Sequence, residues 1–213
     1  MAKPDTKDQI LDAAEELFAE QGFVATSLRQ LTARAGVNLA AANYHFGSKD
    51  ELAKAVLQRR IEPINRERRQ RLDDMSQPIS IEAIVRAFIE PALRSQLGAP
   101  GSLPESRGAG LCRLFGRISV ERPPFLDEFM REQFGELGKR FVAMLSEAAP
   151  GIAAETLWWR MHFMVGAMAH TLANAHVVGQ VSHGACDAND HEGILEQLTA
   201  FAIGGFAAAE VTR

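Results

Sequence analysis

The sequence predicts an all-α protein, with two very short helices near its start and longer ones after them. Three observations carry this. Apolar residues recur at helical spacing along most of the 213 residues. No stretch shows the apolar–polar alternation of a half-buried strand. Caps and breakers divide the chain at short intervals, among them Gly22, Gly36, Pro123-Pro124 and Pro150-Gly151. A hydrophobic content of 46% is ample for a core, and the length suits one large domain or two small ones.

The first helix is expected from a cap at Asp5 or Thr6 to about residue 21, with Ile10, Ala13, Ala14, Leu17 and Phe18 on its apolar face. Gly22 ends it and Phe23 packs back beneath it. Its acids, Asp8, Asp12, Glu15, Glu16 and Glu20, are expected in solvent. A second helix over 27–35 places Leu28, Leu31 and Ala35 on one face. Gly36 sits where a left-handed turn residue is needed, and Asn38 can cap a third helix over 39–45. Ser48 and Glu51 then form a capping box for a fourth helix reaching about residue 74, with Leu52, Val56 and Leu57 on its apolar side. Pro63 is expected to kink or break that helix. Its arginines Arg59, Arg60, Arg66, Arg68, Arg69 and Arg71 read as a solvated face paired with Glu62, Glu67, Asp73 and Asp74, or else as extra phosphate contacts. Further helices are expected over 79–97 (with a kink at Pro91), 111–120, 125–148, 153–178 and 191–209. The stretch 98–110 is a loop by composition.

Helix, tight turn, helix over 27–45 is the pattern that seats a recognition helix in the major groove of DNA, and it also occurs as plain helical packing. A net charge of −4 argues against a protein basic all over, but it leaves room for a local basic face. From Val24 to Lys49 the charged residues are Arg29, Arg34 and Lys49, with no Asp or Glu. Such a window suits a confined phosphate contact.

The last two helices, ETLWWRMHFMVGAMAHTLANAHVV and ILEQLTAFAIGGFAAA, are apolar around most of their circumference and rich in Ala and Gly. A helix of that kind must be buried. A second copy of the chain can bury both in a two-fold four-helix interface, and a monomer core is the alternative. Trp158, Gly166, Ala169, His170, Ala173, Leu198, Phe201 and Gly205 are the interface candidates.

The stretches ILDAAEELFAEQGFVATSLRQLTARAGV and NLAAANYHFGSKDEL, between Ile10 and Leu52, resemble the tetracycline-repressor (TetR/AcrR) family of bacterial transcription regulators. The resemblance implies an all-helical homodimer. Residues 1–52 would form a three-helix helix-turn-helix domain, and residues 53–213 a larger helical domain for ligand binding and dimerisation. Partners would be double-stranded operator DNA and a small-molecule effector, with no cofactor. By position, Thr26 and Ser27 would meet a phosphate through hydroxyls and free amides, and Arg29 and Lys49 would add charge. Asn38, Leu39, Ala40 and Asn43 would read bases. Tyr44 and His45 would touch the DNA backbone, the Tyr44 ring packing a small core while its hydroxyl reaches out.

Candidates for an apolar effector site with a few polar groups are Phe88, Leu93, Leu111, Arg113, Phe115, Phe125, Phe129, Met130, Phe134, Met161, His162 and Val165. Arg113 and Arg117 could meet a carboxylate or phosphate, or be surface residues. GVNLAAANYHFGSK together with WWRMHFMVGAMAH is similar to a branch that senses long-chain fatty acids or their acyl-CoA esters. The expected action is repression released by an effector, with activation, a helical dimer that does not bind DNA, or an acyl-ester enzyme as alternatives.

Other chemistry finds little support. His162, His170, His176, His183, Cys186, Asp187, Asp190 and His191 crowd the last third; histidines eight apart on a helix are poorly placed for one metal, and Cys186-Asp187-Asp190-His191 is closer to ligand-like but lies in a loop, so no metal is expected. Cys112 and Cys186 are too few for a disulfide framework. No nucleophile elbow, phosphate loop or dinucleotide fingerprint is present. No apolar run is long enough to span a bilayer, and the start MAKPDTKDQ has no signal core, so a cytoplasmic protein is expected.

Overall fold

A computed structural model of the chain describes residues 5–97 and 114–209. Within them there are nine helices and no strand. They are α1 (Thr6–Gln21), α2 (Leu28–Ala35), α3 (Leu39–Phe46), α4 (Lys49–Asp73), α5 (Ile81–Leu97), α6 (114–121), α7 (Leu126–Ala148), α8 (Ala154–Val181) and α9 (His191–Ala207). The chain forms two compact units. One takes in the described residues of Met1–Pro63 and Ser106–Gln133, the other those of Ile64–Glu105 and Phe134–Arg213.

In the first unit, α1 is capped by Asp5, whose carboxylate accepts the Lys7 N–H at 3.2 Å. Ile10, Ala13, Ala14, Leu17 and Phe18 are buried as the periodicity requires. Gly22 closes the helix at φ 89°, a region that side chains disfavour, and its N–H returns to Phe18 O. A Cβ there would also overlap the Glu121 carboxylate of α6, which accepts the Val24 N–H at 2.9 Å. Phe23 folds back under α1, with ring centroids 5.6 Å from Phe18 and 5.4 Å from Phe125.

One α1 acid is not in solvent. Glu15 lies on the buried side and pairs with Arg59 at 2.8 Å and with Arg60 in a short contact. Asp12 takes the other arm of Arg59 at 2.8 Å. Arg60 is itself buried, so the pair is an internal tie between α1 and α4 rather than part of a solvated face. Burial makes the pairing obligatory, because either charge left alone in the interior would carry a large desolvation cost.

Two capping expectations change. Ser48 Oγ accepts the Glu51 N–H at 3.1 Å, but the Glu51 carboxylate turns to Lys54 at 2.9 Å, so the box at α4 is half made. The reciprocated box is at α2, where Ser27 Oγ accepts the Gln30 N–H and Gln30 Oε1 accepts the Ser27 N–H. Helix α4 continues through Pro63, so the break allowed for there is not made, and α5 continues through Pro91. Each proline forfeits one ladder bond, which flanking turns hold in place.

In the second unit, Ile84, Val85, Phe88, Ile89 and Leu93 of α5 form the buried stripe. Phe88 meets Phe141 of α7 edge-on at 5.1 Å. Arg86 joins α5 to α9 through Glu196 at 2.8 Å, and this bond holds the Glu196 carboxyl below its usual range. Helix α8 buries Leu157, Met161, Met164 and Met168.

The Glu15 pair sets a stability prediction. Glu15→Gln leaves Arg60 buried against a neutral side chain and should cost about 3–5 kcal/mol. Glu16→Gln, on the solvent side of the same turn, should cost no more than about 1 kcal/mol. Urea unfolding of both variants checks the contrast, and equal losses would contradict it.

Candidate nucleic-acid interface

The two short helices are held by their ends. Gly36 takes the left-handed conformation (φ 69°, ψ 26°), and the Val37 N–H returns to Thr32 O at 3.0 Å. Asn38 Oδ1 caps α3 by accepting the Ala41 N–H at 2.8 Å. Leu31 anchors α2 in the core and Ala42 is the buried residue of α3. Leu39, Ala40, Asn43, Tyr44 and His45 are therefore left on an exposed face. Tyr44 is 86% exposed. Its ring stands edge-on to His45 at 5.3 Å instead of packing into a small core, which corrects the expectation for that ring.

Two expected phosphate contacts, Thr26 and Lys49, and the window cation Arg34 look different in space. Thr26 is 1% exposed, and its hydroxyl donates to Gly22 O at 2.6 Å. That hydroxyl closes the α1–α2 turn and is not available to DNA. Lys49 Nζ donates to Phe23 O and Thr26 O, both at 2.9 Å, and lies 4.3 Å from the Phe23 ring centroid. Its ammonium is thus an internal strut under the same turn. Arg34 pairs with Glu16 at 3.1 Å and Glu20 at 3.6 Å of α1. The window without acids in sequence is therefore not without acids in space. Ser27 and Arg29 remain exposed, and Arg29 has no acidic partner among the described residues. Gln30 and Glu121 are structural residues of this site that sequence reasoning missed. The Ser27–Gln30 spacing could have revealed the first, while no local pattern points to a carboxylate 97 positions from Val24.

The effector candidates divide between the units. Phe115 (half-buried), Phe129 (buried) and Met130 (exposed) lie in the first. Phe88 and Met161 are buried in the second and Phe134 is half-buried there. His162 and Val165 are exposed on α8, and Leu111 and Arg113 lie outside the described residues. Arg117 is exposed. Of the interface candidates, Trp158, Gly166, Ala169, His170, Ala173, Phe201 and Gly205 are exposed. Leu198 is buried within its own chain. No group of three or more His, Cys, Asp or Glu among the described residues is placed to hold a metal. No helix among them is long and apolar enough to cross a membrane.

Comparison with known proteins agrees with this geometry. Residues 10–56 match the family model described as bacterial regulatory proteins, tetR family. Residues 86–205 match the tetracyclin repressor-like C-terminal domain. The HTH-type transcriptional repressor Rv3405c of Mycobacterium tuberculosis is 54% identical over 48 residues, 22% of this chain and 26% of that protein. The alignment thus spans about a quarter of the relative's own length. Among solved structures, a TetR-like transcriptional regulator from Rhodococcus sp. RHA1 superposes with a TM-score of 0.69 at 18% identity, covering 98% of this chain and 100% of the other. The fatty acid degradation regulator FadR from Bacillus halodurans gives 0.68 at 13% identity, with the same coverage. These two show a shared fold. With one model covering the helix-turn-helix and another covering more than half of the 213 residues, the chain belongs to the TetR family of helix-turn-helix transcriptional regulators.

Proposed function

We propose that this regulator binds a palindromic operator as a homodimer in the cytoplasm, and represses transcription until a small apolar or amphipathic effector releases it. The observation that carries this is the face of α3. It is a helix fixed at both ends, buried through Ala42, and exposed along Leu39, Ala40, Asn43, Tyr44 and His45. In the major groove Asn43 would pair with an adenine edge, and Leu39 and Ala40 would touch thymine methyls. The Asn38 amide nitrogen can also donate while its oxygen stays on the cap. Phosphates would be met by Arg29, by Tyr44 and His45, by the free amides at the start of α2, and by the Ser27 hydroxyl once it leaves the Gln30 oxygen to which it donates at 2.7 Å. In this reading residues 1–52 hold DNA, and residues 53–213 hold the effector and the partner chain.

Support for the dimer comes from α8 and α9. Trp159 and Phe163 stack in the open at 6.0 Å, beside Gly166, Ala169 and Ala173. Phe163 is 61% exposed and Phe201 68%. A contiguous apolar surface of this kind marks an interface, and the small residues let partner helices approach closely. Repression follows the name of the Mycobacterium tuberculosis relative over the aligned segment. The effector would act by favouring a separation of the two α3 helices away from the roughly 34–36 Å that a palindrome requires. Helix α4 is the natural connection, because residues 58–71 run without a break.

Two experiments test this. Selection of random DNA by the purified protein should return a palindrome. On that site Tyr44→Ala should weaken binding about tenfold, with stability within about 0.5 kcal/mol of the parent. Lys49→Ala should instead lower stability by about 1–3 kcal/mol, because two carbonyls lose their donor. A stable Lys49→Ala protein with impaired binding would return that ammonium to the phosphate contacts. For the dimer, Phe163→Glu combined with Phe201→Glu should sediment as a folded monomer and lose the palindrome. An unchanged dimer would move the interface elsewhere.

A further inference from the structure

Two guanidinium groups are buried among the described residues, and they differ in one respect. Arg60 has the Glu15 carboxylate. Arg68, 3% exposed, has none among the described residues. Its Nε donates to Phe88 O at 2.9 Å, its Nη1 to Asn65 Oδ1 at 3.2 Å, and its Nη2 meets Met168 Sδ at 3.9 Å. The guanidinium carbon lies 3.8 Å from the Phe88 ring centroid. Every partner is neutral, and the sulfur is a weak acceptor. Neighbouring arginines of the same unit are treated differently. Arg71 has Glu67 and Glu90, and Arg86 has Glu82, Glu90 and Glu196.

A buried charge without a counter-charge is costly unless something else supplies one. Desolvation alone pushes Arg68 down to about 9, and no carboxylate acts in the opposite sense. Nη1 and Nη2 each carry two N–H groups and use one apiece, so one N–H on each has no acceptor among the described residues and could donate to an oxyanion. Around it stand apolar groups: the Phe88 ring with Phe141 against it, and the Met168 side chain. Phe88 already belongs to the apolar residues from which an effector site is expected.

We propose that Arg68 is the anion-binding residue of the effector site, and that the effector is an amphiphile with a carboxylate or phosphate head and an apolar body. The head would take the two N–H groups of Arg68 left without an acceptor, and the body would lie among the apolar side chains of α5, α7 and α8. This rests on the second unit being the effector-binding one. It moves the anion contact from Arg113 and Arg117 to a residue that sequence alone assigns to a solvated helix face.

The test uses the full-length chain and three probes of equal chain length: dodecanoate, dodecyl phosphate and dodecanol. Calorimetry on the wild type should show at least one acid binding about tenfold or more tighter than the alcohol, the size of a charge-assisted hydrogen bond. Whichever acid is preferred names the head group. Arg68→Met should lose that preference while keeping the affinity for dodecanol. Arg68→Lys, which keeps charge but loses the planar fork, should retain a reduced preference. Equal binding of acids and alcohol by the wild type, or an undiminished preference in Arg68→Met, overturns the proposal. The wild-type comparison decides even where a variant fails to fold. Binding of none of the three overturns the anionic-amphiphile class. Operator binding by ligand-free wild type is measured separately, so failure of the effector chemistry is distinguishable from failure of the regulator reading. Operator release by dodecanol as readily as by the acids would leave an effector site standing and remove the anion from it.

Discussion

The Glu15 carboxylate, buried between Arg59 and Arg60, fixes α1 against the first half of α4. Helix α1 in turn contacts both α2 and α3. That order matters because α3 is too short to hold itself. An eight-residue helix is marginal in water and stays folded through packing and caps. It buries only Ala42 among its residues and is pinned by Asn38 and Gly47. The exposed side chains of α3 can be aimed only because the helices behind it are locked. An ion pair serves as that lock with a directional penalty, since sliding α1 along α4 would leave charges buried and unpaired.

The fold was legible in the sequence wherever the signal was local. The caps Asp5 and Asn38 and the glycines Gly22 and Gly36 acted at the positions expected, because they work through bonds within a few residues. The buried face of α1 followed from its 3.6-residue period. Charged and hydroxyl side chains were not legible in the same way. Whether Thr26, Lys49, Arg60 or Arg68 faces water depends on what packs against it from elsewhere in the chain. Thr26 reaches back to Gly22, and Lys49 spans to Phe23. The helix of six arginines looked uniform in sequence, yet it divides into paired, buried and exposed members according to the helices around it. The absence of a break at Pro63 has a related reason. One missing N–H is a local loss, and Pro63 and Pro91 sit in helices long enough to bridge it.

Electrostatics at the proposed DNA face follow from the same distinction. Counting from Val24 to Lys49 gives three cations and no acid. In space Arg34 meets Glu16 and Glu20, and Lys49 is spent on backbone carbonyls. Arg29 is the member of the three left exposed without an acidic partner among the described residues. An operator complex built on this face would release few counterions through charge alone. Its affinity would rest more on amide and hydroxyl donors and on the Tyr44 and His45 rings, with a shallow dependence on salt.

The second unit sets two different uses of apolar surface side by side. On α8, Leu157, Met161, Met164 and Met168 are consumed by the chain's own core, while Trp159, Phe163, Val177 and Val178 are left outside. The inner side is the chain's core, and on the proposed reading a second copy of the chain covers the outer side. Within that core, Met168 lies against a guanidinium that has no acid of its own. A carboxylate beside Arg68 would have offset the charge by direct attraction, as Glu15 does for Arg60. Leaving it uncompensated is a stability cost with a use if the missing charge arrives with a ligand. The ligand then gains affinity from a debt the empty protein carries, and the bound and free states differ by that amount.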